Sequence, residues 1–527
     1  MNAEAPLLAQ LEAAVGGEHC LRGEAAEPFC TDVYRRFAAP LAVLRPTSVD
    51  QVQEVVRTAA RHGRRLVLRG GGASYTDGYL APDEHSLLLD LSALDRIVEI
   101  NEKDCYVVVE AGVTWAALSE ALARRGWRTP FRGPFSGLHS TVGGAMAQHA
   151  ISHGSGAYGI SAQSALCFDV VTAQGDLLRT GSAAAGEPPF ARHFGPDLTG
   201  LFTGDCGALG IKVRVTLPLL RARPAHQVVS FAFPDLASLH ESMRLIAREH
   251  LEESQFALDR ALSQGQIARQ DNAGAQLQMA WSIFRSSPSW RAGLAQLFHA
   301  ATAARREIGE AAYMSHYIVE GVDDLEARSR LHRLREIARE HGREVAATVP
   351  SVVRGMPYAP FFNALGPAGE RWVPLHGVLP HSRVKGFHDA LQRLYAARRE
   401  ELDAHGVWTG AMFATVGSGA FLYEIAIYWP DEITAYHRAV VPEDYLAQLP
   451  TRAPNPEARA CVDRLKADLI ALYREHGAVN FQLGRAYPFR ERLEAPTGAL
   501  LDAVKDCMDP DHRLAPGVLG LAGPEER

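Results

Sequence analysis

Apolar and polar positions alternate at a helical period and then at a strand period near the start of the chain. Apolar residues recur on one helical face between Val49 and Ala60, and the Ser48–Gln51 spacing is typical of an N-terminal capping box. Residues 66–68 form a short apolar run that predicts a buried strand, and three consecutive glycines follow it at 70–72. The order helix, strand, glycine turn differs from the strand, turn, helix order of a Rossmann unit, since residues 76–78 predict a loop.

The glycine turn, residues 69–75, is the strongest candidate for a binding element. Glycine reaches backbone angles that a Cβ forbids, and it lets a ligand approach the peptide closely. Successive N–H groups in such a turn form a concave anion site. We interpret the turn as a pyrophosphate cradle, and a plain glycine-rich surface turn is the alternative.

The pattern up to residue 220 is rich in short strands. Thr114 is the predicted N-cap of a helix over 114–125, and Gln174-Gly175 predicts a hairpin turn. A second glycine-rich region covers 133–144. The predicted strands are 87–91, 97–100, 106–111, 168–172, 177–179 and 211–220.

A different pattern begins near residue 223. Strands such as 227–233 and 421–428 alternate with amphipathic helices such as 235–249 and 382–405. Residues 324–345, rich in Arg, Ala and Glu, predict a solvated helix. Because 527 residues exceed one ordinary core, two or three domains are expected.

Composition narrows the class of protein. Apolar residues make up 47% and charged residues 22%, as in a soluble globular enzyme. A net charge of -7 and a pI near 6.3 provide no footprint for nucleic acid. Seven scattered cysteines without metal or disulfide spacing predict reduced thiols and a cytoplasmic location. Residues 1–17 predict an amphipathic helix rather than a signal peptide, and no apolar run is long enough to span a membrane.

Five motifs in order carry a resemblance to a known family. They are Pro46-Thr47-Ser48, Arg69-Gly70-Gly71-Gly72, Ser140-Thr141-Val142-Gly143-Gly144, Gly204-Asp205-Cys206-Gly207-Ala208-Leu209-Gly210-Ile211, and Asp509-Pro510 with Ala515-Pro516-Gly517. Together they resemble the vanillyl-alcohol oxidase and p-cresol methylhydroxylase family of FAD-linked oxidases and dehydrogenases, whose superfamily includes D-lactate and glycolate dehydrogenases. The resemblance covers about residues 37–220 and 460–520.

The resemblance implies an α+β fold. It consists of a two-subdomain FAD-binding domain of the p-cresol methylhydroxylase type and a cap built on an antiparallel sheet flanked by helices. The implied domains are residues 1–222 for the N-terminal part of the FAD-binding domain, 223–455 for the substrate-binding cap, and 456–527 for a C-terminal segment that returns to the FAD domain and closes the active site.

The resemblance also implies which residues bind FAD. The pyrophosphate would contact the glycine turn, the ribityl chain and isoalloxazine would lie along 140–144, and the adenine would lie near Gly207 and Ile211. Ala73 stands where several subfamilies carry a histidine that binds FAD covalently, so non-covalent FAD is expected, and a bond from a cap histidine or tyrosine stays open. The full set is Arg69, Gly70, Gly71, Gly72, Ala73, Ser74, Tyr75, Pro134, Gly137, Ser140, Thr141, Gly144, Gln148, Tyr158, Asp205, Gly207, Gly210, Ile211 and Arg485.

Two histidines in the cap are candidates for the catalytic base. His376 and His381 lie in an apolar segment, residues 372–381, and their odd separation would put them on opposite faces of a strand. A histidine with a pKa near neutrality suits proton removal during hydride transfer. A hydrogen-bonded core histidine is the alternative for each.

Other cap and C-terminal residues are candidates for substrate contact. Arg354 is a candidate for binding a carboxylate, or it is a surface arginine in a turn. Glu424 is a carboxylate in an apolar strand, which is costly unless it is paired or functional. Asn480 and Gln482 follow Gly477 and are expected to reach the flavin face.

Departures from the family patterns affect the expected chemistry. Ile160, Asn480 and Gln482 replace residues that the phenol-oxidising branch uses, which argues against a para-phenol substrate acting through a quinone methide. Some hydroxy-acid dehydrogenases bind a divalent metal through two histidines and a glutamate. Here Glu475 aligns only with a slip and the associated segment is missing, so no metal is expected.

The resemblance implies an FAD-dependent oxidoreductase that transfers a hydride from a hydroxyl-bearing carbon, first of all that of a 2-hydroxy acid, to flavin N5. One alternative is an aromatic or phenolic alcohol oxidase that uses oxygen. Another is a non-catalytic flavin-binding subunit of a larger dehydrogenase. The acceptor, which is oxygen, a quinone or a cytochrome, is left open, and a cytoplasmic homodimer is the expected assembly.

Overall fold

The computed structural model describes residues 4–269 and 311–521, and its first sheet delivers the glycine turn. Its strands and helices are β1 (Cys20–Leu21), β2 (Ala42–Leu44), β3 (Leu66–Arg69), β4 (Leu87–Asp90), α1 (Ala5–Val15) and α2 (Val49–Arg61). The order is β1-β2-β4-β3, with β2 and β3 parallel to β4. The Ser48 hydroxyl accepts from the backbone N–H of Gln51, so the predicted cap of α2 is confirmed.

A five-stranded antiparallel sheet completes this half of the molecule. The elements are β5 (Ile97–Asn101), β6 (Tyr106–Glu110), β7 (Trp127–Arg128), β8 (Cys167–Val171), β9 (Leu177–Arg179), β10 (Ile211–Pro218), β11 (Leu220–Arg221), α3 (Trp115–Ala123), α4 (Val142–Gln148), α5 (Ser155–Tyr158) and α6 (Leu198–Leu201). The order is β5-β6-β10-β8-β9, and β7 pairs with β11. The cap at Thr114 is confirmed, while α4 falls in a glycine-rich region for which the sequence predicted no helix.

The other half is built on a seven-stranded antiparallel sheet, ordered β15-β12-β14-β13-β17-β18-β16. Its strands are β12 (Ala225–Phe233), β13 (Ser254–Asp259), β14 (Tyr313–Gly321), β15 (Arg343–Val345), β16 (Arg371–Pro380), β17 (Trp408–Val416) and β18 (Ala420–Trp429). Its helices are α7 (Leu236–Arg248), α8 (Arg260–Arg269), α9 (Asp324–Arg339), α10 (Thr348–Gly355), α11 (Val384–Ala404), α12 (Ala435–Val440) and α13 (Glu443–Leu446).

The predicted solvated helix over 324–345 needs a correction. Helix α9 ends at Arg339, and residues 343–345 form the edge strand β15. Leu331, Leu334 and Ile337 on one face of α9 are buried in the large core, because they recur at helical spacing beneath the charged face.

The C-terminal part contacts both halves. Helix α14 (Pro456–Glu475) buries Leu465, Leu469 and Tyr473 in the core of the seven-stranded sheet. Helix α15 (Ala495–Met508) lies on the glycine-rich half, where the Lys505 ammonium donates to the carbonyls of Ala208 and Leu514. The domain boundaries at 222/223 and 455/456 stay a prediction.

Short 3-10 turns connect these elements. They are Gly17–His19, Gly23–Phe29, Leu91–Ala93, Ser161–Ser164, Gly181–Ala185, Phe361–Ala364, His381–Arg383, Arg490–Arg492 and Val518–Gly520. Over the two described ranges, no helix combines the length and the apolar character that crossing a membrane requires.

Candidate active site

One cavity joins the glycine turn to the face of the seven-stranded sheet. Its volume of about 340 Å³ lies within the usual range for ligand sites, and its lining is mainly apolar. Residues 69–75 line one part of it, and alternate residues of β17 and β18 line another. A ligand in this cavity would therefore contact both halves of the molecule.

The glycine turn has the geometry of an anion cradle. In the described chain, no backbone N–H from Gly71 to Ser74 donates to another residue. The Gly72 carbonyl is held by two hydroxyls, those of Tyr79 at 3.0 Å and Tyr436 at 2.7 Å. With that carbonyl engaged, the free N–H groups of a turn that lines the cavity fit an anionic group such as a diphosphate.

Close backbone approach explains two of the glycines. A Cβ at Gly71 would lie 1.7 Å from the carbonyl oxygen of His139, so no other residue fits without a backbone shift. Gly72 has φ +69, in the left-handed region that glycine favours. The turn therefore needs glycine both for its shape and for its contact with residues 139–141.

Most of the residues predicted to bind FAD do line the cavity. Those that line it are Arg69, Gly70, Gly71, Gly72, Ala73, Ser74, Tyr75, Pro134, Ser140, Thr141, Gly144, Gln148, Gly207 and Gly210. They belong to segments that are contiguous with the glycine turn or packed directly against it, and together they fit an extended dinucleotide.

The remaining five predicted cofactor residues lie elsewhere. Gly137 leaves room for the ring of Tyr358, and Ile211 is buried in the core between the two small sheets. Tyr158 accepts a hydrogen bond from Arg128, and Asp205 forms an ion pair with Lys212. Arg485 donates to the carbonyls of Asp77, Leu80 and Pro516, so its guanidinium supports the loop after the glycine turn.

Strand pairing decides which cap residues face the cavity. Glu424 of β18 is directly opposite His376 of β16 and Met412 of β17, so the three side chains share one face of the sheet. Trp372, Tyr428 and Trp408 form a second such row. Glu424, Met412 and the three aromatic residues line the cavity, while His376 does not.

Glu424 is the acidic group of the cavity that suits proton transfer. Its side chain is half-buried in the cavity wall, and burial raises the pKa of its carboxyl to about 7. At neutral pH such a group is divided between its neutral and charged forms, as a general base requires. The prediction that Glu424 is a functional carboxylate in an apolar strand is thus consistent with its position.

His376 stands behind Tyr75 and is fully buried. Its Nε2 lies 3.0 Å from the Tyr75 hydroxyl, and its ring stacks on Phe481 at a centroid distance of 3.8 Å. Burial lowers the pKa of His376 to about 3, so the ring stays neutral. The Tyr75 hydroxyl that contacts the imidazole lines the cavity while His376 does not, so the role of His376 as the base stays a prediction that its position does not favour.

The second predicted histidine is outside the cavity. His381 begins the 3-10 turn after β16, and its Nδ1 lies 2.9 Å from Nε2 of His240. Its Nε2 is 3.3 Å from the carbonyl oxygen of Ser418. The odd spacing predicted opposite faces of one strand for the two histidines. In the structure only His376 lies in β16, since the strand ends at Pro380 and His381 follows it.

Arg354 and Asn480 contact other protein groups and do not line the cavity. Arg354 lies in α10, not in a turn, and its guanidinium pairs with Glu320 at 3.4 Å. The Asn480 amide donates to the carbonyl of His376 at 2.8 Å. Both side chains are absent from the described lining, so their substrate contacts stay predictions that these positions do not support.

Gln482 is the member of the C-terminal strand that does reach the cavity. Its side chain hydrogen-bonds the Tyr75 hydroxyl, and its backbone N–H donates to the carbonyl of Gln148 at 2.7 Å. Tyr75 is therefore held by Gln482 and His376 together, and burial keeps the pKa of its phenol well above the usual value.

Several lining residues escaped the sequence analysis. His153 is buried in the wall, with Nε2 3.0 Å from the carbonyl oxygen of Pro357, and burial lowers its pKa to about 3. Trp408, Met412 and Phe256 come from strands whose pairing the sequence does not reveal. The alternation of side chains along residues 408–414 could have indicated that Trp408 and Met412 share one face of a strand. It does not show which face of that strand lines the cavity.

Within 4–269 and 311–521, no group of three or more His, Cys, Asp or Glu side chains has metal-binding geometry. His376 and His381 have the separate partners given above, Tyr75 and His240.

The sequence is similar to known FAD-binding proteins in the part of the chain that contains the glycine turn. A family model described as an FAD binding domain matches residues 40–181. Glycolate oxidase subunit GlcD of Escherichia coli is 32% identical over 195 residues, covering 37% of each chain. D-2-hydroxyglutarate dehydrogenase of Xanthomonas citri is 31% identical over 238 residues, 45% of this chain and 49% of that protein. The chain thus spans less than half the length of these curated relatives.

Solved structures match over nearly the whole chain and show the fold. A p-cresol methylhydroxylase structure has a TM-score of 0.73 at 19% identity and covers 99% of this chain and 98% of its own. A 4-ethylphenol oxidase from Gulosibacter chungangensis has a TM-score of 0.73 at 19% identity and covers 100% and 99%. Residues of the matched segment, among them Gly70 and Thr141, line the cavity described above. The p-cresol methylhydroxylase type of fold that the motifs implied is confirmed, and the cofactor is FAD.

Proposed function

We propose that this enzyme oxidises an uncharged alcohol with an apolar or aromatic body. The observation that carries the proposal is Glu424, a carboxyl with a pKa of about 7 in a cavity walled by aromatic side chains. Bound FAD supplies the acceptor for the hydride that leaves the hydroxyl-bearing carbon. The Glu424 carboxylate takes the hydroxyl proton, and Tyr75, fixed by His376 and Gln482, orients the hydroxyl oxygen.

The charges around the cavity favour a neutral substrate. Among the described lining residues the cations are Arg69 and Lys212. Arg69 pairs with Asp90 at 3.4 Å, and Lys212 pairs with Asp205. Both belong to the glycine-rich half, and the predicted carboxylate ligand Arg354 pairs with Glu320. A substrate carboxylate beside Glu424 would also meet a like charge.

A 2-hydroxy acid is the second candidate. Its support is the sequence likeness to glycolate oxidase subunits and to D-2-hydroxyglutarate dehydrogenase, which covers less than half of those proteins. The cavity gives weaker support to a 2-hydroxy acid, because a carboxylate is usually bound by an unpaired guanidinium or ammonium group. Both cations of the described lining, Arg69 and Lys212, are already paired with carboxylates.

A matched pair of alcohols tests the proposal. 1-Phenylethanol and mandelate share the phenyl ring and the secondary hydroxyl, but mandelate carries a carboxylate in place of the methyl group. We expect 1-phenylethanol to reduce the bound FAD with the higher second-order rate constant, by about tenfold or more, measured anaerobically at 450 nm. Faster reduction by mandelate and by lactate contradicts the proposal. No reduction by any alcohol supports the non-catalytic subunit, and hydrogen peroxide formed in air identifies oxygen as the acceptor.

The attachment of FAD is proposed to be non-covalent. Ala73 lines the cavity beside the glycine turn, and its methyl group forms no bond to a flavin. After acid precipitation of the holoprotein we expect the yellow colour in the supernatant, measured by its absorbance. Colour retained in the pellet contradicts this and assigns the bond to another residue. The tyrosine and histidine candidates in the described lining are Tyr75, Tyr79, Tyr428 and His153.

A further inference from the structure

The side chains of β18 that face the cavity differ strongly in size. Leu422, Glu424, Ala426 and Tyr428 alternate along the strand, and all four line the cavity. Ala426 is the smallest of them and lies between the carboxyl of Glu424 and the ring of Tyr428. A gap one residue deep therefore opens next to the proposed base.

The strands on either side do not fill this gap. Pro374 of β16 and Gly410 of β17 are directly opposite Ala426, so the row across three strands holds no long side chain. Leu262 of α8 covers the Gly410 end, since a Cβ on Gly410 would lie 2.7 Å from its Cγ. The result is a slot over Ala426 that is closed at one side by Leu262, which also lines the cavity.

Flat aromatic rings form the wall of the slot on the side away from Glu424. Tyr428 stacks on Trp408, with centroids 4.0 Å apart and planes at 12°. Trp372, opposite Tyr428 in the register, also lines the cavity, and its ring meets Tyr75 edge-on at 5.7 Å. A planar apolar group in the slot would contact these rings, a packing that aromatic side chains favour.

We propose that the slot over Ala426 binds an aromatic ring of the substrate, and that Ala426 sets the size of the ring that enters. A ring in this position directs a hydroxyl on its side chain toward Glu424 and Tyr75. The inference rests on the proposed function and refines it from apolar alcohols to aryl alcohols. Ala426 acts here as a specificity-determining residue.

Two opposite substitutions at the same position test the slot. Ala426→Leu fills it, so we expect kcat/KM for 1-phenylethanol to fall about tenfold or more, while that for 2-butanol changes within about twofold. Ala426→Gly deepens it, so the ratio of kcat/KM for 1-(2-naphthyl)ethanol to that for 1-phenylethanol rises. Unchanged ratios in both variants overturn the proposal. If Ala426→Leu does not fold, the ratio of the two kcat/KM values in Ala426→Gly is the test: a rise supports the slot, and an unchanged ratio overturns it.

A binding measurement separates this inference from the proposed function. Anisole has the ring but no hydroxyl, and its binding to the holoprotein is followed by the change in flavin absorbance. We expect the Kd for anisole to rise about tenfold or more in Ala426→Leu. If no alcohol reduces FAD but this rise is seen, the slot stands and the proposed function fails. If alcohols reduce FAD and the Kd and kcat/KM ratios stay unchanged, the function stands and the slot is wrong.

Discussion

Replacement of Glu424 by Gln lowers the rate of FAD reduction by an alcohol by about 100-fold or more, while FAD remains bound. Glutamine keeps the shape of the side chain but cannot take the hydroxyl proton. The proposed cradle for FAD is the glycine turn, which the change leaves intact. The measurement is the limiting rate of flavin bleaching at 450 nm under anaerobic conditions, with the FAD content taken from the ratio of absorbance at 450 and 280 nm.

The pH dependence adds a second readout for Glu424. Because burial raises the pKa of this carboxyl to about 7, the base is protonated below that pH and charged above it. The reduction rate therefore rises as pH increases through about 7 and levels off above it, and this limb disappears in Glu424→Gln. Glu252→Gln is a matched control, since burial also raises the Glu252 pKa to about 7 but its side chain does not line the cavity. If the pH-dependent rise in rate persists in Glu424→Gln and disappears in Glu252→Gln, the assignment of Glu424 as the base is wrong.

Features of the fold that depend on neighbouring residues were predictable from the sequence. The N-caps at Ser48 and Thr114 and the glycine turn each lie within a few residues of the signal that predicts them. Most of the predicted cofactor residues line the cavity for the same reason, since they cluster in glycine-rich segments, and their contact with FAD stays a prediction. The helix α4 was missed because Gly143 and Gly144 disfavour a helix locally, and packing against Ala111 overrides that preference.

The cap residues could be predicted only in part, because their roles depend on pairing between distant strands. Glu424 was found because a carboxylate in an apolar strand is unusual wherever that strand pairs. His376 was placed in the right strand, yet its partner Tyr75 is 301 positions away in the sequence. Arg354 looked free because Glu320, its ion-pair partner, belongs to another element, β14. The row of Pro374, Ala426 and Gly410 that forms the slot exists only once three strands are aligned.

Replacement of Gly71 by Ala has the second large effect, on the cofactor. The new Cβ would lie 1.7 Å from the carbonyl oxygen of His139, a backbone atom that cannot move alone. The turn or residues 139–141 must shift, and the free N–H groups of residues 71–74 then no longer point to a common anion. We expect the Kd for FAD to rise about 100-fold or more, which corresponds to the loss of one or two good hydrogen bonds to a charged group.

The effect is measured by calorimetric titration of FAD into the apoprotein and by the absorbance ratio after desalting. Gly17→Ala serves as the control, because a Cβ at Gly17 meets nothing within 4 Å and its φ lies outside the left-handed region. Far-UV circular dichroism compares the two variants, since the expected loss concerns the cradle and not the sheets around it. A Gly71→Ala protein that is folded and retains FAD as firmly as Gly17→Ala would show that the diphosphate is held somewhere other than at the glycine turn.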